Sequence, residues 1–322
     1  MSEYRYHQPS GAWVLIAPEA AVRPAERTGK IVPAADCPFC PGHEQACGRD
    51  LFTLRNHRFV SNGSGWSLRV IPNQYPLLRI EAAPPRHDHQ EIRRDGLGAH
   101  EVVIELPEHA TLLRDYPVDL LVDVISAWRS RIGDLMNDSR LNFFLVHRSE
   151  GTGRQSHPHS QVFAFPQPFR ASVSLLDDGP HPEHRRVIAH GPFVAFATYA
   201  QPYPFEIVIS PVEPAISFVD LCEPDRLAGL IRDIWRRLEL ALKSPPIRLA
   251  LRVWRHPAGV ASVPSWQIVI RPELEMYVPV SWEAGLAVNP VRPEDACSIL
   301  RDLERTAALP SPDWLIPVES VR

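Results

Sequence analysis

The segment Ser156-His157-Pro158-His159-Ser160-Gln161 runs directly into the apolar stretch Val162-Phe163-Ala164-Phe165. On a strand, side chains alternate between faces, so His157, His159 and Gln161 project from one side in a row. Two imidazoles that close can divide the work. One binds a metal or fixes orientation while the other attacks as a neutral nucleophile or base. The alternative is a pair of histidines on a half-exposed strand, and the rest of the chain decides between the two by what partners it supplies.

The first partner is Cys37-Pro38-Phe39-Cys40-Pro41-Gly42, a Cys-x-x-Cys in a Pro/Gly turn. A redox motif would open a helix after a strand, and Pro38 and Pro41 argue against an immediate helix. A zinc knuckle fits better. Two thiolates need two further ligands to close a tetrahedron, and the candidates are His109 and His157. Four protein ligands leave no open position for an activated water, which argues against a zinc hydrolase and for one structural zinc ion that orients a strand.

The elements that must position these groups occur twice. In the first half, the strand-like His100–Glu105 precedes Leu121, Ile125, Trp128, Ile132 and Leu135, spaced as on one helix face. The strand Leu141–Val146, a Gly-containing loop and the His-Pro-His strand follow. In the second half, Phe205–Ser210 precedes Leu227, Leu230, Ile231, Ile234 and Leu238 at helical spacing, then come Ile247–Val253, a loop with Gly259, and Pro264–Ile270. Both copies end on a glutamine, an apolar run and a proline (Gln161 to Pro166, Gln267 to Pro272), which favours a duplication. Aligning those endings puts Ser265 opposite His159 and Val263 opposite His157, so the second copy lacks the chemistry. One reactive centre per chain follows.

Composition bounds the function classes. The 322 residues are 44% hydrophobic and 22% charged, an ordinary globular mixture. A net charge of -4 without a long basic block speaks against a nucleic-acid or membrane-surface footprint. There is no basic segment followed by an apolar one at Met1-Ser2-Glu3-Tyr4-Arg5, and no stretch approaches the length of a membrane span. The expectation is a cytoplasmic protein. Five cysteines are too few and too scattered for a disulfide framework.

Several segments together resemble the galactose-1-phosphate uridylyltransferase family of the histidine-triad superfamily. They are Arg5 with Pro9–Pro18 and Arg23-Pro24, Cys37-Pro38-Phe39-Cys40, Asn73-Gln74-Tyr75-Pro76, His100–Ile104 with His109, His157–Gln161, and Asn289-Pro290-Val291 with Pro293-Glu294. The resemblance spans nearly the whole chain in the family's order. It implies an α+β fold of two tandem histidine-triad-like repeats, antiparallel sheets with packed helices, with residues 1–170 carrying zinc and the catalytic histidine and 171–322 a degenerate copy. It also implies ping-pong transfer of a nucleoside monophosphate through a covalent nucleotidyl-histidine, from a nucleotide donor (UDP-sugar, UTP or ADP-sugar) to a sugar-1-phosphate, in a homodimer. By position His159 is then the nucleophile, Gln161 the hydrogen-bond donor to phosphoryl oxygens, and Cys37, Cys40, His109 and His157 the zinc ligands. Superfamily hydrolases commonly carry a third histidine where Gln161 stands, so glutamine points to transfer.

The resemblance further places Arg23 near the nucleotide phosphates and Asn73 and Tyr75 in the segment that receives base and ribose. A surface arginine and a turn-capping asparagine are the plainer alternatives. Gln74 departs from the acidic residue common in uridine-committed members. The loop from Arg148 to Ser156 is shorter and more charged than the family's phosphate-wrapping loop. Within it Ser156 and Arg154 are candidate substrate contacts, and Arg148 or Arg154 is either a phosphate ligand or a solvated charge. The histidines of a second metal site seen in some members are absent near Ser265-Trp266-Gln267, so one metal is expected. Beside the transferase stand a phosphorylase of nucleoside diphosphosugars or dinucleoside polyphosphates, a non-catalytic zinc-stabilised nucleotide-binding protein, and an unrelated zinc protein.

Overall fold

The computed structural model describes residues 2–7, 12–17, 32–60, 65–81, 93–151, 157–167, 182–255, 265–274 and 286–303. Among them, the strands are β1 (Glu3–His7), β2 (Ala12–Ile16), β3 (Phe52–Arg55), β4 (Arg58–Val60), β5 (Leu68–Pro72), β6 (Arg93–Asp95), β7 (Ala99–Ile104), β8 (Phe143–Glu150), β9 (His159–Phe165), β10 (Arg186–His190), β11 (Phe193–Phe196), β12 (Ile207–Pro211), β13 (Ile247–Trp254) and β14 (Trp266–Pro272). The α-helices are α1 (Val118–Leu135), α2 (Pro224–Leu242) and α3 (Pro293–Asp302).

Antiparallel pairing builds a small sheet, β2-β1-β6, and a large one ordered β10-β11-β12-β14-β13-β8-β9-β7-β5-β3-β4. The chain is thus α+β, as expected. Outward from the central β8–β13 pair the order is β9, β7, β5 on one side and β14, β12, β11 on the other. In chain order, α1 lies between β7 and β8 and α2 between β12 and β13.

Helix α1 forms where the apolar spacing predicts it. Leu121, Val124, Ile125, Trp128 and Ile132 are each at most 2% exposed against the sheet, each burial contributing roughly 1.5–3 kcal/mol. In α2, Pro224 lies in the first turn, where its missing N–H costs nothing, and Asp225 complements the positive end of the helix. Lys243, in the left-handed conformation at φ 57°, ends it. Two side-chain ties fix α1 on the site's strands. Arg131 donates to both carboxylate oxygens of Glu101 on β7 at 2.6 and 2.8 Å, and Trp128 Nε1 donates to Ser160 Oγ on β9 at 2.8 Å.

Strand β8 departs from the sequence reading. The segment taken as a loop from Arg148 begins as strand, because β8 continues through Glu150 with β13 paired along its whole length. Arg148 is neither a phosphate ligand nor a solvated charge. It is 3% exposed and donates from Nε to Glu105 Oε2 and from Nη1 to Glu150 Oε2, each at 3.0 Å. Its guanidinium lies over the rings of Trp235 and Tyr116, 5.3 and 5.6 Å from their centroids. The charge survives burial because two carboxylates and two ring faces replace water.

Candidate functional site

Strand β9 opens at His159, and its burial alternates along the strand. Ser160, Val162 and Ala164 pack inward while His159, Gln161 and Phe163 line the opposite face. His157 precedes the strand and is 1% exposed. The backbone N–H of Glu105 donates to Pro158 O at 3.1 Å, which extends the β7 edge past the His-Pro-His turn.

Cys37, Cys40, His109 and His157 converge, with one ligand atom from each lying within 4.8 Å of all the others. Cys40 Sγ is 3.3 Å from His109 Nδ1 and 3.5 Å from His157 Nδ1. Each ring donates its other nitrogen to a backbone carbonyl, His109 Nε2 to Val32 at 3.0 Å and His157 Nε2 to Leu106 at 2.7 Å. Those bonds put the ring protons on Nε2 and leave the Nδ1 lone pairs facing the thiols, the outer-shell arrangement that supports metal-ligating histidines. Burial, reinforced by the adjacent Cys37 thiol, pushes Cys40 up to about 11, and burial drives His157 down to about 4. Two soft thiols and two imidazoles drawn this close together are the donor set of a structural zinc site, and these residues fit one.

His159 Nδ1 donates to the carbonyl of His157 at 2.9 Å. That bond fixes the tautomer, so Nε2 carries the lone pair. Burial is the main reason that His159 titrates below an ordinary histidine, opposed by that hydrogen bond and by Glu105. The ring of Phe39, inside the Cys-x-x-Cys turn, is tilted against it at 5.4 Å. A neutral imidazole in a single tautomer, with its outward nitrogen unprotonated, is chemically a nucleophile in waiting.

Gln161 Oε1 is 2.8 Å from His100 Nε2 on the neighbouring β7. Asn73 does cap a turn, its Oδ1 accepting from the Tyr75 N–H at 2.8 Å, yet its amide nitrogen also lies 3.0 Å from His100 Nε2. Asn73 therefore adjoins Gln161 through one shared ring. Tyr75 is 64% exposed beside it. Arg23, Arg154 and Ser156 lie outside the described residues. Three residues of this face were not singled out from the sequence: His100, Phe39 and His147, the last directly opposite Gln161 on β8. The spacing of His100 from Asn73 and Gln161 carried no local signal, although its place on a strand alternating toward the His159 face was readable.

A family model described as galactose-1-phosphate uridyl transferase, N-terminal domain, matches residues 1–167. The chain is 28% identical to an ADP-glucose phosphorylase of Arabidopsis thaliana over 94% of this chain and 93% of that protein. It is 21% identical to a galactose-1-phosphate uridylyltransferase of Thermotoga maritima over 94% and 99%. The crystal structure of an Arabidopsis thaliana ADP-glucose phosphorylase with bound ADP-glucose superimposes with a TM-score of 0.73 at 26% identity, covering 94% of this chain and 99% of that one. The family model covers more than half of the chain, and the chain belongs to the galactose-1-phosphate uridyl transferase family, as an enzyme of the nucleotidyltransferase type.

Proposed function

We propose that the enzyme moves a nucleoside monophosphate from a sugar nucleotide to a phosphate-bearing acceptor by way of a covalent adduct on His159. The observation that carries this reading is the 2.9 Å bond from His159 Nδ1 to the His157 carbonyl, which presents an unprotonated Nε2 on the site's face. In the first half-reaction Nε2 attacks the α-phosphorus, a P–N bond forms, the bond from phosphorus to the bridging oxygen breaks, and sugar-1-phosphate leaves with that oxygen. In the second, a phosphate oxygen of the acceptor attacks the same phosphorus and the electron pair of the P–N bond returns to His159. Gln161 donates amide N–H bonds to the phosphoryl oxygens and carries no charge at any working pH. Asn73 and Tyr75 receive base and ribose, with Arg23, Ser156 and Arg154 toward the phosphates.

Zinc held by Cys37, Cys40, His109 and His157 supplies cross-linking and orientation rather than a reacting water. Anchoring His157 in this way holds its carbonyl against His159.

Two acceptors fit the same chemistry. A sugar-1-phosphate gives exchange between sugars, the reaction named for the uridylyltransferase relatives. Inorganic phosphate gives phosphorolysis, and the 28% identity to a protein named ADP-glucose phosphorylase supports that second reading and an adenine donor. Incubation with a donor labelled in the α-phosphate and no acceptor tests the shared step. One acid-labile, base-stable phosphoramidate per chain on His159 is expected, and His159→Ala abolishes it. Unchanged turnover in that variant rejects the covalent route. Discharge of the adduct by phosphate or by sugar-1-phosphate then selects the acceptor.

A further inference from the structure

We infer that His100 is a positioning residue that dictates which way the Gln161 amide faces, so that its N–H2 end and not its oxygen is offered to the substrate; the functional part of this inference rests on the role of Gln161 proposed above. The argument starts from a backbone bond. The N–H of Leu77 donates to His100 Nδ1 at 3.2 Å, so this nitrogen must hold a lone pair. The ring is 8% exposed and burial lowers its pKa, which keeps it neutral with a single proton. That proton therefore sits on Nε2.

An N–H at Nε2 donates and needs an acceptor opposite it. The Gln161 atom at 2.8 Å is its carbonyl oxygen, and both amide N–H bonds are turned away from His100. The Asn73 amide nitrogen also lies 3.0 Å from Nε2, with its oxygen held by the Tyr75 N–H, so Leu77 and Asn73 compete for the ring's one lone pair; it goes to Leu77, whose N–H is fixed in the backbone. Phe163 stacks on the ring at 4.2 Å with planes 21° apart and holds its plane in register with Gln161. A glutamine amide has two near-equivalent flips. Only one of them directs donors toward a phosphoryl oxygen, and the other would direct a lone pair at it.

Two measurements test the inference. In His100→Phe the stack on Phe163 is kept and both ring nitrogens are removed. Single-turnover formation of the His159 adduct is expected to slow by about ten-fold, the worth of one neutral hydrogen bond, with donor KM within about two-fold. In a Gln161→Ala background the same change has no further effect on the rate. An unchanged rate in His100→Phe alone, or an equal slowing in both backgrounds, overturns the inference. The second measurement needs neither activity nor a variant. Ring-nitrogen chemical shifts of histidine-labelled native enzyme should show Nδ1 of His100 unprotonated and Nε2 protonated, and the opposite tautomer overturns the inference. A native enzyme that forms no adduct yet shows the expected tautomer would count against the proposed reaction and leave the orientation of Gln161 standing.

Discussion

Replacing Arg148 by methionine separates a structural cation from a substrate-binding one. The side chain is 3% exposed, and its Nε lies 3.0 Å from Glu105 Oε2. Glu105 is fully buried, accepts from Tyr116 Oη at 2.8 Å, and among the described residues has no partner at its other oxygen. Methionine keeps most of the stem but strands a carboxylate with too few donors, and breaking such a pair from one side costs about 3–5 kcal/mol. An unfolding entropy of about 2.1 cal/mol/K per residue over the 322-residue chain is about 0.7 kcal/mol/K, so the midpoint should fall by about 4–7 °C. The double variant Arg148→Met with Glu105→Gln removes the stranded charge and should recover part of that loss. Scanning calorimetry of the wild type and both variants at pH 7 measures it. A fall of less than 1 °C in the single variant, or equal losses in single and double variants, would refute the reasoning. Donor KM in the folded single variant should stay near the wild-type value, whereas a phosphate-binding arginine would raise it.

Three further outcomes are expected. Cys37→Ser should take zinc from about one ion per chain to near none by mass spectrometry, with accompanying loss of thermal stability; full occupancy would show that the ligand set is wrong. A Cβ at Gly98 would run into the backbone oxygen of Ala164 on β9 and lie 2.8 Å from Leu78 Cδ1, so Gly98→Ala should cost about 1–3 kcal/mol in urea denaturation, and a neutral result would mean that the β7–β9 approach is looser than described. Burial lowers the pKa of His100, and burial together with Arg248 lowers that of His147, so both stay neutral in the folded enzyme where the unfolded chain takes up protons. Stability should therefore fall as pH drops below about 6.5, by at most about 1.4 kcal/mol per pH unit for each histidine, and His100→Phe should flatten the slope by one histidine's share. An unaltered slope would mean that His100 titrates normally.

What could be read from the sequence follows the range of the interactions. Helices α1 and α2 were visible because burial of one face writes a 3.6-residue period into the chain. Strand β9 was visible because the apolar run Val162-Phe163-Ala164-Phe165 marks it, and the alternation of a strand then sets His159 and Gln161 on one face. The Cys/His cluster was visible because few chemistries use two thiols and two imidazoles in a Pro-rich setting, although 117 residues separate Cys40 from His157. Arg148 was misread because a polar, charged run leading into Gly151 suggests a loop, while its neutralising Glu105 lies 43 residues away, just past the end of β7. The role of His100 was hidden for a similar reason, since the Leu77 backbone that assigns its proton leaves no mark in residue types.

Strand β8 pairs with β13 at eight consecutive positions, from Ile247 opposite Glu150 to Trp254 opposite Phe143. Parting β8 from β13 would bare two eight-residue strand edges, each a template for any passing extended chain. Neither half is therefore a self-sufficient building block for protein engineering. A lone fragment would seek a substitute partner, with aggregation as its default fate.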